Sequence, residues 1–482
     1  MRSLRVLAAL SLATAGCATN PVTGQRQLAL MTVQQEIELG RQAHQETLAA
    51  IGAYPDAELQ AYVSQIGLRL AADSERPELP WTFTVLDDPT VNAFALPGGF
   101  IYLTRGILSH MTSEAEMVSV LGHEIGHVTA RHGVERLSKA QLAQFGLIAG
   151  AVLAPEEFRN YGGVAQLGLQ ALFLHYSRDD ERQADDLGYR YMNRANYDPN
   201  EMIGMFQMLG RVTTAAGGGR LPSWLATHPD PANRGARVAA AIGASPPDLL
   251  GVEVVREPFL RRLNQMMFGN NPREGYFIGS TFYHPELAFS VQFPDGWKTD
   301  NQKASLSALA PNQDAVLVLS LAQGRTPAEA AQKFFAGEGI QLDQPQRGAI
   351  GGLPASGGTF VVNRGQGQEP LAGEVAFVQD GGQIFQILGY TLSGRYATYG
   401  RFFERTLRSF GKVRERRYLD VAPKRIELVP VRENLTVAEF DRRWPSTVDL
   451  ATLAIINGLG EGETLKAGQT YKRVVGGVLP DR

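Results

Sequence analysis

Ser113-Glu-Ala-Glu-Met-Val-Ser-Val-Leu-Gly-His123-Glu124-Ile-Gly-His127-Val-Thr-Ala-Arg-His132 is the stretch from which the fold and its chemistry can be read. Ser113 is placed to cap the first free N–H groups of a helix, and Glu116, three residues on, completes a capping box. Val118, Leu121, Ile125 and Val128 recur at helical spacing and face a core. Four residues advance an α-helix by about 400°, so His123 and His127 project from one face, one turn apart, and can share one ion. Glu124 lies between them in angle and reaches a water on that ion without having to bind the ion itself. Zinc takes neutral nitrogen or carboxylate ligands, keeps one open position, and lowers the pKa of its water to about 7. A glutamate beside it can take the water's proton during attack on a peptide carbonyl. His-Glu-x-x-His at this spacing is a metalloprotease pattern. A five-residue match can arise by chance, but a capped amphipathic context favours the catalytic reading.

His132 stands nine residues past His123, about 900° round the same helix, and so is expected on its opposite side. Gly133 occupies the position where a metzincin-type third histidine would stand. The third ligand must come from elsewhere. Ser177 suits another N-cap, and Glu181 and Asp185 follow it one turn apart on one face. A carboxylate from a second helix completes a His-His site, and a neighbour one turn on can hydrogen-bond a ligand histidine. Acidic residues on a helix by themselves make a solvated face; the histidine pair changes that reading.

The 482 residues, 44% apolar, leave room for two to four domains. A net charge of −3 and a pI near 6.3 favour no nucleic acid and no acidic membrane surface as partner. The one cysteine, Cys17, rules out an intrachain disulfide and a cysteine-built zinc site. Arg2 and Arg5 precede a short apolar run, well under the about 20 residues needed to span a bilayer but suited to a signal peptide. Thr14-Ala15-Gly16-Cys17 resembles a bacterial lipobox. Residues 1–17 are thus expected to be a signal peptide ending on a lipidated Cys17, with a plain secretory signal and a soluble periplasmic protein as the alternative. Ala18 after the cysteine, rather than Asp, points to the periplasmic face of the outer membrane. Residues 18–32 read as a tether.

In chain order, residues 32–50 and 55–72 are helical in pattern, the second with Leu59, Val63, Ile66 and Leu70 on one face. Residues 81–86, 91–96 and 100–104 read as strands, parted by Asp87-Asp88-Pro89 and Pro97-Gly98-Gly99. Asn92-Ala93-Phe94 is expected near the cleft, where an unpaired edge could take an extended peptide as an added strand. A sheet that merely packs on the helix is the equal alternative. Residues 145–154 are apolar but too few to cross a membrane, and read as a buried or greasy surface segment.

The paired motifs His123-Glu124-x-x-His127 and Glu181-x-x-Ala184-Asp185, with His228-Pro229 and Arg234, resemble the HtpX-like family of gluzincin metallopeptidases. Asn92-Ala93-Phe94 and Pro97-Gly98-Gly99 fit the same family over roughly residues 20–245. The likeness is nearest to a BepA-like and LoiP-like lipoprotein branch that acts in outer-membrane protein quality control. It implies one Zn2+ per chain on His123, His127 and Glu181, with Glu124 as general base and Asp185 behind the ligands. It also implies His228 and Arg234 as active-site residues on a late loop, and unfolded or misassembled envelope proteins as substrates. BepA-like proteins carry a tetratricopeptide array, and no 34-residue helical period is present here. Gly217-Gly218-Gly219 precedes His228, which could stabilise an oxyanion, fill the fourth zinc position at rest or cap a turn; the resting ligand is favoured.

The expected fold class is α+β. A mainly helical zincin-type domain with a small sheet (residues 33–245) ends at a proline-containing linker. An antiparallel α+β domain follows (253–412), with a helix in 259–268, strands near 289–293, 315–321, 358–362, 374–378 and 384–388, and helices at 327–338 and 395–407. It carries no catalytic constellation, so a binding or spacer role is expected. Residues 421–476 read as strand 426–431, helices 437–443 and 450–456, and strand 469–474, a βααβ pattern resembling a LysM module. LysM folds grip N-acetylglucosamine glycans, which would make peptidoglycan a partner. Glu433-Asn434-Leu435-Thr436 replaces the usual Gly-Asp-Thr opening, so a structural cap is equally open. The function expected from all this is an envelope zinc endopeptidase. A chaperone or assembly factor with a mostly self-inhibited metal site is one alternative. A peptidoglycan-tethered scaffold with structural zinc is another, which the intact Glu124 argues against.

Overall fold

The helix expected around the His-Glu-x-x-His motif runs from Glu114 to Thr129, and every one of its residues is buried. The computed structural model of the chain describes residues 17–152, 176–215, 224, 227–228, 231–365, 367–460 and 462–480. It divides into two units, one of residues 1–270 with 425–475, the other of 271–424 with 476–482. Residues 1–16 of the proposed signal peptide, Gly217-Gly218-Gly219 and Pro229 lie outside the described residues.

In the first unit the elements in order are β1 (Cys17–Thr19), β2 (Arg26–Leu28), α1 (Val33–Ala50), α2 (Ala57–Ala72), β3 (Thr82–Leu86), β4 (Ala93–Leu96), β5 (Phe100–Thr104), α3 (Arg105–His110), α4 (Glu114–Thr129), α5 (His132–Val152), α6 (Arg178–Arg194), α7 (Asn200–Ala215), α8 (Pro231–Ala244) and α9 (Arg256–Leu263). Strand β5 is central, parallel to β3 and antiparallel to β4, so β4 forms one edge of the sheet. Val85, Ala93, Ile101 and Leu103 from the sheet share one core with Leu59, Val63 and Leu70 of α2 and Val118, Leu121 and Ile125 of α4. A helix buried on all sides belongs in the middle of a domain, and α4 is that helix.

Ser113 caps α4 as expected, its Oγ accepting from Glu116 N at 3.1 Å. Glu116 does not close the box; its carboxylate accepts from Thr112 N instead. The helix also ends earlier than the sequence pattern suggests. Arg131 adopts a left-handed φ of 59°, and a new helix starts at His132. The buried Glu36 fixes this corner, pairing with Arg131 at 3.0 Å and with Arg76 at 2.7 Å.

The expected tether 18–32 is a docked segment. Strand β1 pairs with β2, and the turn between them is held by Gly24 N donating to Asn20 O. Buried Asn20 donates from Nδ2 to Ala130 O at 3.2 Å, and Leu30 N donates to Ser138 Oγ at 2.9 Å. Cys17 thus begins a strand rather than a free linker. Residues 145–152 continue α5, and none of the described helices is long and apolar enough to cross a membrane.

The first unit does not close at residue 245. Ala115 N donates to Val254 O, and α9 buries Phe259, Leu260 and Leu263 in the same core as α4. The boundary expected at 253 therefore moves to 271. Residues 425–475 also join this unit. They form β17 (Arg425–Pro430), β18 (Leu435–Thr436), α12 (Val437–Arg443), α13 (Leu450–Ile456), β19 (Thr464–Leu465) and β20 (Thr470–Val475), with β17 paired to β20 and β18 to β19. Lys472 on β20 is fully buried, its Nζ donating to Ser109 O at 2.8 Å and Met111 O at 2.6 Å. Burial pushes its amine down to about 7, with Glu116 pulling the other way. Thr470 N donates to Glu257 Oε1, and Arg211 donates to Gly458 O. The βααβ segment is built into the first unit.

The second unit is antiparallel throughout. Strands β6 (Tyr276–Ile278), β7 (Thr281–His284), β8 (Phe289–Gln292), β9 (Lys298–Gln302), β10 (Ser305–Leu309), β11 (Ala315–Ala322), β12 (Ile340–Ile350), β13 (Leu353–Val362), β14 (Leu371–Asp380), β15 (Gln383–Leu392) and β16 (Gly411–Lys412) make two sheets. One runs β12-β13-β14-β15-β11-β10-β9 and the other β16-β8-β7-β6. Helices α10 (Pro327–Phe335) and α11 (Tyr396–Arg408) bury Ala330, Tyr399, Phe403 and Leu407. The alternation of β11 and the periodicity of α11 carry this fold in the sequence. Strand β12 escapes such a reading because it is polar, exposed and holds Pro345, as an edge strand can.

Lys472→Met should cost about 1–3 kcal/mol, since it leaves two buried carbonyls without a donor. Urea unfolding of the full chain measures it; an unchanged midpoint would show that the lysine contributes no net stability.

Candidate metal centre

Two helices meet at their backbones to build the site. A Cβ placed on Gly122 would lie 3.2 Å from Gly188 Cα, and one on Gly126 would lie 3.1 Å from Ala184 Cα. A Cβ on Gly188 would come 3.0 Å from His123 N. Gly122 and Gly126 on α4, one turn apart, thus face Ala184 and Gly188 on α6. Only small residues permit so close an approach. Helix α6 starts with a capping box of Ser177 and Asp180, which sets Glu181 and Asp185 on its buried face.

The consequence is a buried cluster of His123, His127, Glu181 and His228, whose ligand atoms all lie within 4.8 Å of one another. His123 Nε2 and His127 Nε2 are 3.0 Å apart. His228 Nδ1 is 2.8 Å from Glu181 Oε1 and 3.3 Å from His123 Nε2, while Glu181 Oε1 is 3.4 Å from His127 Nε2. Donors about 2.0–2.1 Å from a tetrahedral zinc stand about 3.3 Å from each other, and these separations bracket that value. Three ring nitrogens and a carboxylate crowded together out of water fit a cation between them. Burial acts to raise the Glu181 carboxyl, but His228 and Arg234 outweigh it and hold the group well below the usual carboxylate range. Burial holds the His127 imidazole below its ordinary value, toward the neutral form a ligand needs.

Asp185 stands behind His123, with Oδ1 3.0 Å from Nδ1. Arg234 from α8 grips Asp185 with two hydrogen bonds of 2.9 and 2.6 Å, and its Nη1 lies 2.7 Å from Glu181 Oε2. Its guanidinium packs against Trp224 and Phe206. Glu124 has both carboxylate oxygens buried without a hydrogen-bond partner, and its Oε1 faces His228 Nε2 at 3.6 Å. The Trp224 ring stacks on His228 at 4.7 Å, and the Tyr176 ring stacks on His127 at 3.8 Å.

His132 corrects the sequence geometry. It is not on the far side of α4, because α4 has ended; the turn at Arg131 brings His132 Nδ1 to 2.9 Å from His127 Nδ1. Of the proposed substrate strand, Ala93 is fully buried and the Phe94 ring stacks on Tyr102 at 4.7 Å, with β4 at the sheet edge. Cys17, in the β1–β2 hairpin, is no part of the metal cluster. Tyr176, Gln183 and Trp224 carry no motif that would have singled them out, and only the Arg-His pair after the metal helix hinted at His132.

Residues 57–242 match peptidase family M48. That segment holds the entire metal cluster, and three ring nitrogens with a carboxylate suit the zinc on which M48 peptidases depend. The chain is 34% identical over 174 residues to the mitochondrial metalloendopeptidase OMA1 of Arabidopsis thaliana, covering 36% of this chain and 33% of that one. It is 28% identical over 223 residues to the beta-barrel assembly-enhancing protease of Yersinia pestis, covering 44% and 45%. The protein of that name from Escherichia coli (strain K12) is 26% identical over 228 residues, 45% of each chain. The match thus spans less than half the length of these relatives. Within the segment that matches M48, the small residues between α4 and α6 set the ligand spacing.

Gly188→Leu should force the helices apart and weaken zinc binding at least 10-fold, measured by competition with a chromogenic chelator. Replacing a helical glycine improves helix propensity by up to about 1 kcal/mol, so a loss of affinity despite that gain reports spacing. Unchanged affinity would mean that the helix approach does not set the site.

Proposed function

We propose that the chain is a zinc metalloendopeptidase of the bacterial cell envelope that cuts unfolded or misassembled outer-membrane and periplasmic proteins. The observation that carries this reading is the Glu124 carboxylate, buried and unpartnered beside the ligand cluster. Leaving a buried carboxylate without a partner is costly, and a zinc site with a purely structural task has no use for one.

His123, His127 and Glu181 hold the ion. Zinc, when bound, supplies Lewis acidity that polarises a peptide carbonyl and acidifies water. Glu124 takes the proton from the attacking water and passes it to the leaving amine. Asp185 accepts the Nδ1–H of His123 and keeps its Nε2 free. Arg234 neutralises Asp185 and Glu181 from behind. The edge of β4, last in the sheet order, receives the substrate as an added strand. His228 would join His123, His127 and Glu181 as a fourth ligand at rest and would swing away when substrate enters.

The substrate class follows the names of the beta-barrel assembly-enhancing relatives. Lipidated Cys17 anchors the chain at the periplasmic face of the outer membrane, and the LysM-like segment meets peptidoglycan. A second reading, an assembly factor whose metal site seldom turns over, is favoured by one observation: His123, His127 and His228 are each at most 2% exposed.

Glu124→Gln should keep one zinc per chain while casein cleavage falls about 10²-fold or more, because the ligands stay and the base goes. Metal analysis alongside the digestion assay decides it, and retained proteolysis would sink the mechanism.

His228→Ala should leave zinc bound and raise basal casein cleavage. A fall in rate would assign His228 to oxyanion stabilisation instead, and an unchanged rate would reduce it to a turn-capping residue.

A further inference from the structure

His132 has no task in the mechanism above, yet it sits against a ligand. A ligand imidazole that offers Nε2 to a metal carries its proton on Nδ1, and in a buried site that N–H needs an acceptor. His123 finds a carboxylate, Asp185. His127 Nδ1 meets another imidazole nitrogen instead, His132 Nδ1 at 2.9 Å, with the two rings nearly perpendicular at 73°. Two ring nitrogens at that distance share one proton, so one donates and the other must be bare.

The far side of His132 decides which. Its Nε2 faces two oxygens, Gln183 Oε1 at 2.9 Å and Asp180 Oδ1 at 3.6 Å. Both are acceptors, so the proton of His132 lies on Nε2 and its Nδ1 is bare. The metal requirement at one end and these oxygens at the other give the same direction, His127 to His132 to Gln183. Were the Gln183 amide turned over, its NH2 would face Nε2 and the chain would run backwards, protonating His127 Nε2 and blocking the ion. Asp180 disfavours that arrangement, since it is an acceptor in either case.

We propose that His132 is a positioning residue for the metal, accepting the Nδ1–H of His127 and relaying to Gln183 so that His127 Nε2 stays free for the ion. The fold provides for it on both sides. The left-handed turn at Arg131, held by Glu36, returns the chain beneath His127. Helix α6 supplies Glu181 as ligand, Asp185 as the partner of His123, and Gln183 as the end of the His127 chain. The two imidazole ligands are thereby unlike. His123 leans on a charged acceptor and His127 on a neutral one, so His127 donates less electron density and leaves the ion the stronger Lewis acid.

The inference rests on the metal-site reading, and the experiment separates the two. Zinc affinity of the full chain is measured by chelator competition for wild type, His132→Leu, His132→Asn and Gln183→Leu, together with the visible spectrum of the Co2+-loaded forms. Wild type that binds no zinc overturns the metal-site reading itself. With wild type binding, His132→Leu should lose about 10–100-fold in affinity and shift the Co2+ bands. His132→Asn places a carbonyl oxygen where Nδ1 stood and should recover affinity to within a few-fold of wild type. Gln183→Leu, at a half-buried position, should weaken binding in the same direction and serves if His132→Leu does not fold. Wild-type affinity in His132→Leu, or equal weakness in the Asn and Leu variants, overturns the proposal, the latter by showing that only packing was lost.

Discussion

The site depends on how closely two helices can approach. Each metal ligand on α4 and α6 is short, and a carboxylate on one helix reaches imidazoles on the other only if the backbones touch. Gly122, Gly126, Ala184 and Gly188 allow that contact. The capping of both helices by Ser113 and Ser177 fixes where each begins, so their registers deliver His123, His127, Glu181 and Asp185 to one point. Burial then raises the stakes. Once water is excluded, each unpaired charge is expensive, and Arg234 answers for two carboxylates at once.

Local patterns in the sequence carried most of this. The late His228 and Arg234 came only from the family resemblance; the histidine pair, Glu124 and the Glu181–Asp185 turn are legible because the chemistry needs fixed spacings on a helix. Helices 437–443 and 450–456 were legible for the same reason, with capped amphipathic starts at Thr436 and Asp449. What was not legible depends on partners far along the chain. Helix α4 ends at Thr129 because Glu36, 95 residues away from Arg131, pairs with it out of water. Periodicity continues through His132, so no local signal warns of the break. Lys472 reads as a surface lysine until Ser109 and Met111 are placed beside it. The docked 18–32 segment follows the same logic, since Asn20 is held by Ala130.

Two kinds of buried charge therefore coexist in the catalytic unit. Glu36 with Arg76 and Arg131 is a closed group, fully paired, and acts as a corner brace. Glu124 is open, with no hydrogen bond to either oxygen. A buried ionic group that is satisfied specifies geometry, and one that is not retains the capacity to react. The brace closes the C-terminal end of α4, the helix that carries Glu124.

The chain reaches residue 270 within one unit, builds the second, and returns at 425 to finish the first. During synthesis from the N-terminus, the M48 segment is complete long before β20 emerges. Until then the carbonyls of Ser109 and Met111, just ahead of the capped start of α4, have no Lys472 to satisfy them. A nascent chain thus has its ligands in sequence but lacks Lys472 ahead of the metal helix, and the first unit is finished only once β20 has been made.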